Sequence, residues 1–393
     1  MDFGFTEEQN RFRKEVQSFL DKELPESWID YIGPTIDDTV VNTENGEEVF
    51  RDIAHKLGQK GWLSLCWPEE YGGQGASHVD YLIFLEEIAK RGSPGFNALG
   101  AKMVAPTLID RGTKEQCEQH LGPIARGEEF WCEGFSEPEA GSDLAAVQTK
   151  ARRDNNRFII NGQKTWSTFA GHSDWCCVLA RTDPNTKKHK GLGFFLVDMS
   201  TPGITVSPIN NIAGDPDFCE IYFDDVEVPV ENMVGEENQG WEIAQTLLNH
   251  ERAVIAHVAV AQTMVERLTK YLEEHPGNPC LQSYRQTLAD LSVDAEIGRL
   301  LSYRIVWLQD KGAATAADAA LGRLYPTTLL KRATTAALEL LGPYGQLTRN
   351  EEKAPLQGWF NHLYLAAVGA TVAAGTSEIQ KTIIARELGL ARS

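Results

Sequence analysis

The chain has 393 residues, with 56 acidic against 37 basic side chains and a formal net charge of −19. That balance argues against nucleic acid or an anionic membrane as a partner of the general surface, and leaves room only for a local basic pocket that takes an anionic ligand. No apolar run reaches the length of a membrane span and the N-terminus has no basic, apolar leader, so a cytoplasmic chain without membrane insertion is expected, long enough for two or three structural units.

From the N-terminus the pattern is helical. Thr6, followed by acids, reads as an N-cap, and Phe12, Val16, Phe19 and Leu20 fall on one stripe. The segments EEVFRDIAHKLGQKGW, HVDYLIFLEEIAKRG and APTLIDRGTKEQCEQHLGPIARG repeat the period, each closed by glycine, with the Pro/Gly-rich loop WPEEYGGQGAS between them. From about residue 127 the texture changes to short β-type runs: RFIINGQKTW, DWCCVLARTD, GLGFFLVDM, ITVSPI and CEIYFDDVEVP, punctuated by Asn-Gly, Asp-Pro and Pro-Gly turns. After NMVGEENQGW, long helical segments run to the end, as in a bundle. The expected organisation is an α+β chain with an N-terminal helical domain (1–126), a middle β-barrel or sandwich domain (127–235) and a C-terminal four-helix bundle (236–393).

Seven cysteines are scattered without Cys-x-x-Cys spacing, and the nine histidines show no ligand spacing. Reduced thiols are expected, and no metal.

Three motifs carry chemistry. GFSEPEAGSD (Gly134 to Asp143) combines small residues, which admit a ligand close to the backbone, with the hydroxyls of Ser136 and Ser142. NGQKTWSTFAG (Asn161 to Gly171) places Trp166 and Thr168 on one face of a strand, an indole beside a hydroxyl, suited to a flat heteroaromatic ring. AAGTSEIQK (Ala373 to Lys381), preceded by ELLGPYGQL, has glycines at helix ends and Thr376 as a cap. Taken singly, the first reads equally well as an ordinary loop, and the other two read more readily as a core tryptophan and a plain helix start.

In their order and spacing, within the α–β–α layout, these motifs resemble the acyl-CoA dehydrogenase family of flavoenzymes. The resemblance runs nearly end to end, from GWLSLCWPEEYGGQG through FDDVEVPVENMVGEENQGW to GTSEIQKTIIARELG. It implies FAD held noncovalently between the β domain and the bundle, with Phe135, Ser136, Gly141, Trp166, Ser167, Thr168, Gln282, Glu339, Gly342, Thr376 and Glu378 at the cofactor. It implies Ser142, Asn249, Arg252 and Ala374 at the acyl-CoA substrate. The reaction implied is α,β-dehydrogenation of the thioester: a carboxylate removes the α-proton while hydride leaves the β-carbon for flavin N5.

Many members carry the glutamate where Ala374 stands. Branched-chain and long-chain members carry it instead in a Glu-Arg pair after Asn-x-Gly-Trp, and GWEIAQTLLNHERAVIA puts Glu251 and Arg252 there. Glu251 is therefore the expected base, in apolar surroundings that would raise a carboxyl pKa. Ala374 keeps a backbone N–H for the thioester oxygen. In the family this arrangement goes with bulky, branched or cyclic acyl groups.

One departure concerns the cofactor. The family's Arg-x-x-Phe pair, whose arginine reaches the FAD pyrophosphate of a neighbouring subunit, is replaced by Tyr271 and Glu274. A homotetramer with other donors is expected, the alternative being the flavin subunit of an α2β2 heterotetramer of the steroid-side-chain kind. Electron-transfer flavoprotein is the expected electron acceptor. An acyl-CoA oxidase or flavin monooxygenase on the same fold is the other enzymatic reading, and a non-catalytic assembly subunit the reading from outside enzymology. The basic run Lys187 to Lys190 reads as a solvated loop.

Overall fold

The structure, a computed structural model, describes residues 4–25, 28, 46–186, 188–250, 255–275, 281–349 and 351–390. Its helices are α1 (Glu7–Glu23), α2 (Gly46–Gln59), α3 (His78–Ala89), α4 (Ala105–Arg111), α5 (Lys114–Ala125), α6 (Gly240–His250), α7 (Ile255–Glu274), α8 (Leu281–Asp310), α9 (Ala316–Leu341), α10 (Trp359–Ala370) and α11 (Ser377–Glu387). Its strands are β1 (Trp131–Gly134), β2 (Lys150–Asp154), β3 (Arg157–Thr168), β4 (Trp175–Arg181), β5 (Leu192–Asp198), β6 (Ile204–Ile209), β7 (Phe218–Pro229) and β8 (Met233–Val234). N-terminal helices, a central sheet and C-terminal helices follow one another as expected. Spatially there are two compact units, one of Asp37–Gly75 with Gly95–Glu251, the other of Met1–Ile36, Ala76–Pro94 and Arg252–Ser393. The N-terminal helices thus divide: α1 and α3 belong to the helical unit, α2, α4 and α5 to the sheet unit.

In the helical unit, the Thr6 hydroxyl accepts from the Gln9 N–H, and the Gln9 side chain accepts from the Thr6 N–H. This reciprocal cap satisfies two donors that a helix start leaves open. The α1 stripe buries Val16 and Leu20. Helix α9 is the packing centre, meeting α7, α8, α10 and α11. Its Leu329, Leu330, Ala333, Ala337 and Leu340 share one core with Trp359, Phe360 and Leu363. Ala89 of α3 meets Ala256 and Ala259 of α7, small residues that allow close helix approach. Arg13 of α1 donates to the buried carboxylates of Glu86 (2.9 Å) and Glu87 on α3, and the Tyr303 hydroxyl of α8 donates to Glu86 at 2.6 Å.

The sheet runs β6-β7-β3-β2-β4-β5-β8, with β1 added alongside β4 in parallel. β4 reads Trp-Cys-Cys-Val-Leu-Ala-Arg and buries everything between its two ends, as a strand covered on both faces must. Asn161-Gly162, expected as a turn, is instead a bulge inside β3. The β3–β7 register shifts between Ile160 and Gly162, and Gly162 takes φ +151. The hairpin turn into β3 lies earlier, at Asn155 (φ 56), joining the antiparallel pair β2–β3. The segment from Ala105 to Gly127 is not one helix: it breaks at Gly112, and Thr113 restarts it with a capping box to Gln116. A π-helical turn, Leu99–Val104, precedes α4. Gly240 lets the start of α6 lie directly on β5, since an added Cβ would stand 2.5 Å from the Gly193 carbonyl carbon.

Candidate active site

β1 delivers the chain into the Gly134–Asp143 loop. Phe135 is buried with its ring edge-on to Phe194 (6.0 Å), Ser136 is half-buried, and Gly141 and Ser142 are exposed. Glu137 is turned inward. Its carboxylate accepts from the N–H groups of Gln148 (2.6 Å) and Thr149 (2.8 Å) and from Lys164 Nζ (2.8 Å). Lys164, on β3, has no exposed surface, and its Nζ donates also to the Phe135 carbonyl at 2.9 Å. Gly134 leaves room for the lysine stem: a Cβ there would press on Cys176 Sγ (3.1 Å) and Lys164 Cγ (3.4 Å).

Burial lowers the Lys164 pKa from 10.5 to about 8, against the opposing attraction of Glu137. For Glu137 burial acts upward, but the charge and hydrogen bond of Lys164 and the two N–H donors carry the carboxyl below its ordinary value. The neighbouring Thr165 N–H donates to the Ser136 carbonyl at 2.9 Å, tying loop and strand by backbone as well.

Beyond Lys164 the β3–β7 register shifts again, and Trp166 falls in that irregularity with φ +60. A bulky residue rarely adopts this left-handed conformation, which clusters at ligand sites. The indole is 59% exposed, its edge on Phe218 at 5.9 Å. Along this stretch Trp166 is exposed, Ser167 buried and Thr168 half-buried. The Ser167 hydroxyl is buried with no partner among the described residues. Such an orphan is costly in a folded protein and is the kind of group a bound polar ligand satisfies.

Around the start of α11, Ala374 takes φ 52 and Gly375 φ 94, and Thr376 caps the helix by accepting from the Ile379 N–H (3.3 Å). The Gln380 side chain donates to the carbonyls of Ala374 (3.3 Å) and Gly375 (3.2 Å), holding the turn. Arg323 donates to the Ala373 carbonyl at 2.8 Å. No acceptor for the Ala374 N–H occurs among the described residues. Glu378 is exposed, as is Glu339 near the end of α9. Gly342, at φ 55, has open space where a side chain would be. Tyr271 is half-buried and packs against the bundle core, stacked on His275 (4.2 Å) and edge-on to Phe360 (6.4 Å).

At the far end of α6, Asn249 is exposed and His250 Nε2 lies 3.2 Å from Asp110 Oδ2 on α4. Both α4 and the π-helical turn pack on α6. Glu251 and Arg252 lie outside the described residues, and so does the side chain of Gln282. Lys188 pairs with Asp143, beside Ser142, whereas Lys187 is outside the described residues.

The residues present fit a flavin cofactor: an exposed indole held in an unfavourable backbone conformation, a buried hydroxyl beside it with no partner among the described residues, and an open glycine at Gly141. Among the described residues no group of three or more His, Cys, Asp or Glu could hold a metal ion. Nor is any described helix long and apolar enough to cross a membrane.

The acyl-CoA dehydrogenase N-terminal, middle and C-terminal domain models match residues 6–128, 132–226 and 238–389. The chain belongs to the acyl-CoA dehydrogenase family: it is an FAD-dependent oxidoreductase of that class. It is 33% identical to the acyl-CoA dehydrogenase FadE26 of Mycobacterium tuberculosis over the whole of both chains. It is 34% identical to the acyl-CoA dehydrogenase IpdE1 of the same organism, over 86% of this chain and 87% of that one. Among solved structures it is similar to the Tcur3481-Tcur3483 steroid ACAD (31% identity, TM-score 0.89, the whole of both chains). It is similar also to a chain of the ChsE4-ChsE5 complex from Mycobacterium tuberculosis (32% identity, TM-score 0.89, the whole of both chains).

Sequence reasoning passed over Lys164 and Glu137. The available signal was a charged residue in each of two motifs otherwise made of small, apolar and hydroxyl side chains.

Proposed function

We propose that this enzyme removes the α and β hydrogens of a bulky, branched or cyclic acyl-CoA thioester, with Glu251 as the base. Bound FAD supplies the two-electron acceptor for the hydride. Trp166 covers the ring system, Thr168 and Ser167 present hydroxyls to it, and Phe135, Ser136 and Gly141 line its edge. Thr376, Glu378, Glu339, Gly342 and Gln282 hold the rest of the dinucleotide. The Ala374 N–H donates to the thioester oxygen, which makes the α-proton easier to remove by stabilising negative charge there. Glu251 takes that proton onto a carboxylate oxygen. Ser142, Asn249 and Arg252 bind the CoA and acyl portions.

The observation that carries this reading is the turn at Ala374. Its backbone is set in a left-handed conformation with an N–H that has no acceptor among the described residues, yet its side chain is a methyl group. The proton acceptor must come from elsewhere, and the Asn-His-Glu-Arg sequence supplies one at Glu251. The likeness to a structure described as a steroid ACAD supports a large acyl group. Anaerobic titration of the enzyme with short, branched, aromatic and alicyclic acyl-CoAs tests this. Preferential flavin bleaching by the bulky thioesters is expected, and a preference for short straight chains would overturn the substrate class.

A second assembly is favoured by Tyr271. We take a homotetramer passing electrons to an electron-transfer flavoprotein as the first reading. A half-buried tyrosine packed against the bundle core carries no cation for a pyrophosphate, so a partner chain in an α2β2 assembly is the alternative. One FAD per chain in protein purified alone supports the homotetramer, and half occupancy or none supports the heteromer.

A further inference from the structure

Two motifs were assigned to FAD, yet the group that joins them has no part in that assignment. Lys164 sits between Gln163, whose side chain donates to Glu220 on the partner strand β7, and Thr165, whose N–H holds the Ser136 carbonyl. Its own Nζ reaches the carbonyl of residue 135 and the carboxylate of residue 137, the two positions that flank Ser136. The Ser136 carbonyl itself is held by Thr165, so the peptide groups on both sides of that serine are fixed from β3. Glu137 is fixed in turn by the Gln148 and Thr149 N–H groups and by backbone bonds in both directions with Ala140 (2.9 and 3.0 Å). Two residues beyond Lys164 the same strand bears Trp166 in its left-handed conformation.

A charge removed from water destabilises the fold unless it is paired and hydrogen-bonded, and replacing such a pair by apolar residues is often neutral or better. A buried ion pair is therefore weak support for a stability role. Here every acceptor of the ammonium group belongs to the loop that carries Ser136, and two of the carboxylate's donors are the backbone N–H groups of Gln148 and Thr149, just ahead of β2. The interaction specifies the geometry of one loop against one strand.

We propose that the Lys164–Glu137 pair is a positioning device that brackets Ser136 and registers it with Trp166 and Thr168, so that loop and strand meet the flavin as one preorganised surface. The inference rests on the assignment of Ser136, Trp166 and Thr168 to FAD. Lys164 and Glu137 touch neither substrate nor reacting atoms on this account.

The test uses the full-length enzyme stripped of FAD and reconstituted. The dissociation constant for FAD and the visible spectrum of the bound flavin are read for Glu137→Gln, Lys164→Met, Ser136→Ala and Trp166→Ala. Glu137→Gln keeps the size and one acceptor oxygen, so it remains foldable even where Lys164→Met is not. Far-ultraviolet circular dichroism checks that each apoprotein is folded. Both pair variants are expected to bind FAD about tenfold more weakly, with a displaced flavin absorption band and unchanged secondary structure. An FAD affinity within twofold of wild type and an unaltered spectrum in folded Glu137→Gln, while Ser136→Ala and Trp166→Ala weaken binding, overturns the positioning role alone. If Ser136→Ala and Trp166→Ala also leave FAD binding untouched, the site assignment falls and the inference with it.

Discussion

The Lys164–Glu137 pair of the sheet unit and the Arg13–Glu86–Glu87–Tyr303 cluster of the helical unit are both withdrawn from water, but they are assembled from different parts. Around Arg13 the partners are side chains on three helices: the two carboxylates of α3, the Tyr303 hydroxyl of α8, and Gln17 of α1, which donates to Glu87 at 2.8 Å. Burial and the Glu86 charge push the Tyr303 hydroxyl far above its ordinary pKa, so it remains a donor at any working pH. Around Lys164 the partners are one backbone carbonyl and one carboxylate of a single loop, and that carboxylate is held in turn by two backbone N–H groups. The first cluster joins three helices to one another; the second joins a loop and a strand that both belong to the proposed cofactor surface. Buried charge can thus fix an architecture or fix a binding surface, and the partners reveal which.

The contrast can be broken by removing one member of each. Arg13→Met removes the guanidinium from Glu86 and Glu87 and leaves them Lys90, 3.7 and 3.2 Å away, beside the neutral donors Tyr303 and Gln17, so a loss of about 3 kcal/mol in urea unfolding is expected. FAD bound per folded chain should stay at the wild-type level. Glu137→Gln leaves the buried Lys164 ammonium without its counter-ion and should also cost about 3 kcal/mol, but with weakened FAD retention per folded chain. Matching profiles in the two variants would erase the distinction.

Lys164 also sets a pH signature. Its folded pKa of about 8 lies below the ordinary 10.5, so between those values the unfolded chain holds the extra proton. The contribution of this group to stability therefore rises with pH across that window, by at most about 1.4 kcal/mol per unit. Glu137, Cys176 and Arg181 face the same amine. Other groups titrate there too, and the measurement is the difference between wild type and Lys164→Met in urea unfolding at pH 7.5, 8.5 and 9.5. That difference should move in favour of wild type as pH rises, while wild-type FAD retention falls because the ion pair is lost. A flat difference would mean that the amine is not held as described.

The exposed contact between Asp110 and His250 gives the low end of the scale. Asp110→Asn should cost under about 0.5 kcal/mol. It should lower kcat severalfold with KM little changed, because the contact steadies the end of α6 immediately before Glu251. An unchanged kcat would remove the tether from the account.

Much of the architecture could be read from the chain because it depends on local pattern. The Thr6 cap, the α1 stripe and the five β runs from residue 157 onward are set by neighbouring residues. The short strands β1 and β2 were not legible, since four or five residues alternate too briefly to stand out from a loop. Asn161-Gly162 carries the strongest hairpin signal in the chain and is a bulge, because the pairing of β3 with β7 continues past it and overrides the local preference. Lys164 was illegible for a related reason. A lysine in a strand reads as solvent-facing, and the carboxylate that permits its burial lies 27 positions away in sequence. The division of the N-terminal helices between two units depends on contacts of still longer range. For the site, motif order named the candidate cofactor residues, whereas the contact between Lys164 and Glu137 emerged only from three-dimensional neighbours.

The central claim is that Glu251, not the position of Ala374, takes the α-proton. Anaerobic titration of FAD-loaded Glu251→Gln with the acyl-CoA that best bleaches the wild-type flavin tests it directly. The account predicts stoichiometric FAD and a rate of flavin reduction lowered by about a hundredfold to ten-thousandfold. Bleaching of the variant at the wild-type rate would contradict it.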